Sequence, residues 1–257
     1  MKLHCIEPQW PAPSNVLAFS TTRQGGHSAP PYQSFNLGHH VDDNEEAVAL
    51  NQQLLLEKFP SHSSLQWLTQ VHGVDVIEAG IVAEDEIGTS YPQADACWSR
   101  KAGDVCAILT ADCLPVLLCG TAGNAVAAAH AGWRGLAQGV LEATVSGMGV
   151  DSSEILAWLG PAIGPGAFEV GTEVRDCFVD STVTDSASVH SCFLPNPARG
   201  GYFYADLYAL ARLRLEAVGV TAIYGGEHCT YSDAEHFYSY RRDGQTGRMA
   251  SLIGLTS

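Results

Sequence analysis

The chain has 257 residues with 28 acidic against 13 basic side chains, a formal charge of −15. With no Lys/Arg cluster larger than Arg241-Arg242, that balance argues against nucleic acid as a partner, since phosphate backbones are held by clustered cations that displace counterions; it disfavours an anionic membrane surface on the same ground. No run reaches the roughly 20 apolar residues of a membrane span, the opening MKLHCIEPQWPAP lacks the apolar core of a secretory signal, and eight cysteines without a CxxC pair suit reduced thiols in the cytoplasm.

Val16–Thr21 reads as a strand. Thr22-Arg23-Gln24-Gly25-Gly26 follows as a loop suited to wrapping a ligand with Arg23 aimed inward, or, equally, as a plain hairpin turn with a solvated arginine. The polar loop Ser34-Phe35-Asn36-Leu37-Gly38-His39-His40 ends in two histidines that point to opposite sides if the chain is extended, so one ring should be exposed and the other packed. Asp42-Asp43-Asn44-Glu45-Glu46 supplies an N-cap and first-turn acids for a helix to about Phe59, with Val48, Leu55 and Phe59 on one face and Pro60 as its stop. A strand begins at residues 65–69 and continues through 70–77, placing His72 within it beside Gly73, where close approach of a ligand or another backbone is possible. Residues 80–91 are acidic and irregular, and 94–98 and 105–110 read as short strands.

The stretch from Thr110 to Gly135, TADCLPVLLCGTAGNAVAAAHAGWRG, is the chemical centre of the sequence. Two apolar runs of strand length, 114–119 and 125–129, flank the turn cluster Gly120-Thr121-Ala122-Gly123-Asn124. Paired as neighbours they bring Cys113, just before the first, and His130, just after the second, to one end of a sheet. A helix follows to about Met148, burying Leu136, Val140, Leu141 and Val145. Ile155–Leu159 is a strand, Gly160-Pro161-Ala162-Ile163-Gly164-Pro165-Gly166 a rigid loop, and 172–178 helical. Residues 180–197 read as a mobile surface loop. A helix over 205–217, capped near Gly219, leads to a strand at 220–224 and the loop Gly225-Gly226-Glu227-His228-Cys229-Thr230. In Phe237-Tyr238-Ser239-Tyr240-Arg241-Arg242-Asp243-Gly244, aromatics and guanidinium forks suit a planar ring plus an anion; a strand and turn whose arginines pair with acids competes with that reading. Cys5, Cys97, Cys106, Cys119, Cys177 and Cys192 read as buried apolar filler. With no repeat or linker, one domain over 1–257 of mixed α/β packing is the economical organisation.

His72, Cys113 and His130 offer two imidazoles and one thiolate, a set suited to zinc with an open fourth position. Zinc there would lower the pKa of bound water toward about 7; copper is the less obvious occupant. Without a metal, Cys113 as nucleophile and His130 as base use the same residues, and spacing does not separate the two readings. Asp112 is not assignable as the orienting acid.

TADCLPVLLC, AAAHAGWRG, QVHG, GPAIGP with FEVG, and FYSYRRDGQTGR together resemble the bacterial YfiH-like family, first described as laccase-domain or multicopper polyphenol oxidase proteins and now as purine nucleoside phosphorylases with adenosine deaminase activity. The resemblance implies a four-layer α/β/β/α sandwich, a zinc on His72, Cys113 and His130, and purine nucleoside and phosphate as substrates, for which Arg23, Arg134 and Arg242 are candidate phosphate contacts and Phe237 or Tyr240 candidate stacking rings. PQWPAP and TGRMASLIGL are most similar to a branch described as peptidoglycan editing factors, which implies an alternative, amide hydrolysis releasing L-serine from a UDP-MurNAc precursor by Cys113 or zinc-bound water. A laccase-like copper oxidase and a non-catalytic zinc-binding adaptor are the further alternatives. The chain departs from the family pattern at Asn51-Gln52, where Asn-Arg is usual, and at Val41-Asp42-Asp43, where Val-Gly-Asp-Asp is; no role is carried over for those loops.

Overall fold

The computed structural model describes residues 3–80, 91–180 and 186–256. Its strands in chain order are β1 (Cys5–Ile6), β2 (Val16–Thr21), β3 (Ser64–Gln66), β4 (Val76–Glu78), β5 (Ala96–Ser99), β6 (Asp104–Thr110), β7 (Leu114–Gly120), β8 (Val126–Ala131), β9 (Ile155–Leu159), β10 (Glu169–Gly171), β11 (Phe193–Pro195), β12 (Tyr202–Ala205), β13 (Ala222–Gly225) and β14 (Met249–Leu255). The helices are α1 (Glu45–Leu56), α2 (Trp133–Gln138), α3 (Val140–Met148), α4 (Thr172–Val179), α5 (Ser186–Ser191), α6 (Leu207–Ala217) and α7 (Tyr240–Asp243).

Every residue of β6, β7, β8, β9 and β14 is buried. Strands so nearly apolar throughout must be covered on both faces, and the layers follow from that. A six-stranded sheet, ordered β13-β9-β7-β8-β5-β4, faces a five-stranded one, ordered β1-β2-β14-β6-β3. Between them lie Leu117, Cys119, Ala128, Trp158, Ile108 and Ile253. Alternate residues of the same strands, such as Val116, Leu118, Ala127 and Ala129, turn outward onto Leu136, Leu141 and Leu215 of the helices. The outer face of the five-stranded sheet packs Phe19 and Leu252 against Leu55 and Phe59. The expected four-layer α/β/β/α sandwich is therefore the observed one, with a small three-stranded sheet, β10-β12-β11, beside it. Truncating one of the buried leucines in either core would cost about 2–5 kcal/mol.

Several expected elements differ. The long strand through 65–77 breaks into β3 and β4, and His72 sits in a bend between them at φ +63°. The helix after Arg134 divides at Gly139, whose φ of +105° ends α2 and starts α3. In the segment 180–197, of which 181–185 lie outside the described residues, α5 and β11 bury Val189, Cys192 and Phe193; apolar residues too widely spaced to show a period still close a core. Residues 81–90 also lie outside the described part. The fully buried β14, central in its sheet, was not anticipated as a strand. Among the cysteines expected to be buried, Cys5 is half-buried and Cys177 exposed. Among the described residues no helix is long and apolar enough to cross a membrane.

Candidate metal centre and its cavity

The β7–β8 hairpin sets Pro115 opposite His130, so Cys113, two residues earlier, and His130 meet at one end of the ladder, as the apolar runs required. His72 arrives by a different route. The Asp95 carboxylate, completely buried just before β5, accepts the amides of Val71, His72 and Gly73 at 3.2, 2.9 and 2.6 Å. Three amides converging on one carboxylate wrap the chain into the bend, and that is why the sequence does not stay extended there. Asp95 Oδ1 also lies 2.8 Å from His130 Nδ1. One acid thus fixes both imidazoles and leaves His130 Nε2 for a ligand, the carboxylate–histidine pairing that orients metal-binding rings.

The three ligand atoms lie within 4.8 Å of one another, and His72 Nε2 is 3.7 Å from Cys113 Sγ. Tetrahedral zinc with ordinary Zn–S and Zn–N bonds separates such atoms by about 3.6 Å, so the donors present fit a late first-row ion with an open position. Gly132 shows how closely they are gathered: a Cβ there would sit 2.9 Å from His72 Cδ2, 3.2 Å from Cys113 Sγ and 3.5 Å from His130 Nε2. Burial pushes the Cys113 thiol up, but the neighbouring charge and hydrogen bonds of His130 and His72 outweigh it and bring it down to about 6. Burial opposes the charge on His130 as well, yet Cys113 and Asp95 raise its pKa. The pair favours thiolate beside imidazolium, the proton inventory a metal ion would replace.

Asp112 does separate work. It adopts φ +96°, a left-handed conformation that costs a non-glycine residue energy. Its carboxylate accepts Thr230 Oγ1 at 2.6 Å and the Arg241 amide at 2.7 Å, pinning the turn that presents Cys113.

A cavity of about 550 Å³ opens beside the triad at the end of the inter-sheet gap. Its other polar lining includes His39, His40, Gln70, Thr110, Tyr240 and Arg248, and among the described residues no carboxylate lines it. His39 and His40 both reach it, their rings 5.2 Å apart, because they occupy a turn and not the extended chain that would have split them. The arginines singled out in the sequence lie elsewhere. Arg23 donates to the Gln33 and Ala234 carbonyls and covers the Tyr238 ring. Arg134 lies over Trp133. Arg242 is spent on the carbonyls of Thr230, Tyr231 and Phe237 and on Asp243. Phe237 is buried, whereas Tyr240 is exposed and lines the cavity. Asp95 and Arg248 were missed; a charged residue inside the apolar strand entry Ala94-Asp95-Ala96 was the available signal for the first.

Residues 17–256 match the family model described as multi-copper polyphenol oxidoreductase laccase. A purine nucleoside phosphorylase of Pseudomonas aeruginosa is 54% identical over 250 residues, covering 97% of this chain and 98% of that one. The purine nucleoside phosphorylase YfiH of Escherichia coli is 52% identical over 252 residues, with 97% and 98% covered. Of solved structures, a Neisseria meningitidis protein superposes with a TM-score of 0.90 at 46% identity over 100% of both chains. YlmD from Geobacillus stearothermophilus does so at 0.80 and 32%, covering 95% and 93%.

Proposed function

This chain belongs to the multi-copper polyphenol oxidoreductase laccase family, and from that premise we propose that it is a zinc-dependent purine nucleoside phosphorylase that also deaminates adenosine, acting in the cytoplasm. The observation that carries the reading is a single three-donor cluster opening onto a nucleoside-sized cavity, in a chain more than half identical to proteins named for phosphorolysis. Ligand cavities of roughly 300–1,000 Å³ take molecules of that size. The family's oxidase name fits the donors less well: among the described residues His72, Cys113 and His130 form the one cluster of three or more candidate ligands, too few for an array of several coppers.

Zinc, when bound, supplies a Lewis acid with an open coordination position. The protein's part is orientation and exclusion of water. Asp95 holds His130 by Nδ1 and His72 by its amide, so both rings are set before substrate arrives. Tyr240 stands at the mouth, where a purine ring can stack on it. In phosphorolysis a phosphate oxygen forms a bond to C1′ of the ribose as the glycosidic bond breaks; the base leaves with that electron pair and takes up a proton. In deamination water adds at C6 of adenine and ammonia departs, giving inosine. Holding the reactants in one enclosed geometry supplies a large part of the rate.

The lowered Cys113 thiol supports one second reading, in which that thiolate attacks an amide carbonyl of a peptidoglycan precursor. Purified protein incubated with adenosine and phosphate, with adenine, inosine and hypoxanthine followed by chromatography, separates them. Turnover lost in Cys113→Ala supports the nucleoside reading. No nucleoside turnover, with serine released from UDP-MurNAc-L-serine, overturns it in favour of the amidase. Silence in both assays with zinc tightly held would leave a zinc-binding adaptor, and metal analysis of protein purified without added metal decides between zinc and copper.

A further inference from the structure

Arg248 is a partly buried guanidinium that no acid pairs with among the described residues. Its Nη1 donates to the Thr246 and Gly247 carbonyls at 2.9 and 3.0 Å, while among the described residues Nε and Nη2 find no acceptor, and the side chain lines the cavity. Burial works against its charge, while Cys113 and Asp112 favour it electrostatically without any direct ion pair among the described residues. Thr110, only 2% exposed and lining the same cavity, carries a hydroxyl closed off from solvent and without a hydrogen-bond partner among the described residues. Thr110 ends β6 opposite Met249, the first residue of β14, and Arg248 immediately precedes Met249, so both strands bring their ends to this cavity. Cys113 follows Thr110 by three residues in the same cavity.

We propose that Arg248 forms an oxyanion subsite that holds orthophosphate, the second substrate, against the triad. The proposal rests on the phosphorylase reading for the identity of the anion but on its own geometry for the site. The free edge of the guanidinium offers two parallel N–H donors to two phosphate oxygens. Among the described residues no carboxylate lines the cavity to occupy the arginine directly.

The test is orthophosphate binding to the zinc-loaded full chain by titration calorimetry, with zinc content and melting temperature measured on the same samples. Arg248→Met is expected to weaken phosphate binding by about ten- to hundredfold, the range of charge-assisted hydrogen bonds, with zinc content unchanged. Arg248→Lys should fall between, since it keeps charge and loses the fork; it supplies the same test if Arg248→Met does not fold. In turnover assays the KM for phosphate should rise more than the KM for nucleoside. Equal phosphate affinity in Arg248→Met and the parent protein overturns the subsite. No orthophosphate binding, with Arg248-dependent binding of a nucleoside 5′-monophosphate, overturns the assignment to free phosphate and gives the guanidinium to a phosphate ester. Arg248-dependent phosphate binding without phosphorolysis upholds the subsite and removes the proposed activity.

Discussion

Behind the two histidines, Asp95 accepts three backbone amides and an imidazole N–H, so that the carboxylate is fully engaged. In the cavity lining, among the described residues, Arg248 leaves two nitrogens unused and Thr110 keeps a buried hydroxyl without a partner. Both regions are polar, yet they bear on folding in opposite ways. A satisfied buried network contributes to stability and fixes geometry; an unsatisfied one subtracts from stability until something binds. The contrast separates residues that build the site from residues that wait for its ligand.

The comparison breaks first at Asp95. Asp95→Ala strips the partner from three amides and from His130, so we expect a loss of about 3–5 kcal/mol in urea denaturation and a roughly 10–100-fold weaker zinc affinity in competition titrations. A variant with parental stability would show that the bend at His72 holds without its carboxylate. Gly132→Ala is the next largest: the added methyl would meet all three donor side chains, so metal affinity should fall while far-ultraviolet circular dichroism stays unchanged. Undiminished zinc binding would mean that the three ligands can spread to admit a carbon atom.

Thr110→Val sharpens the other half of the comparison. Replacing a buried hydroxyl that bonds to nothing with a methyl of similar shape should leave stability unchanged or raise it by up to about 1 kcal/mol, in contrast to the large loss at Asp95. A loss above 2 kcal/mol, well outside that estimate, would reveal a partner for the hydroxyl. The smallest effect concerns His40. Burial first, then Arg248 and His39, hold its pKa down to about 4, so between that value and the ordinary 6.5 of the unfolded chain the folded state binds fewer protons. Stability should therefore fall as pH drops from 6.5 toward 4. His40→Gln should flatten that slope, and an identical slope in thermal melts would assign it to other groups.

Much of the catalytic half was legible in the chain because it is local. The β7–β8 hairpin announces itself as two apolar runs around Gly120–Asn124, and pairing them is enough to bring Cys113 and His130 together. His72 was legible as a candidate ligand beside Gly73, but not its approach to the other two, since its bend depends on Asp95, 23 residues away in sequence. The Arg242 reading failed to bring that side chain to the cavity because nothing in FYSYRRDGQTGR reveals that three carbonyls of the surrounding loops consume its donors.

Sequence by itself determined what adjacent residues impose on one another: strand-length apolar runs, helix caps, turn chemistry, and a thiol and an imidazole at the two ends of a hairpin. Tertiary structure alone decided which buried polar groups are satisfied. Those partnerships join Asp95 to His72, and the pairing of Met249 with Thr110, 139 residues apart, brings Arg248 to the cavity; a hydrogen bond between distant segments leaves no periodicity in either of them.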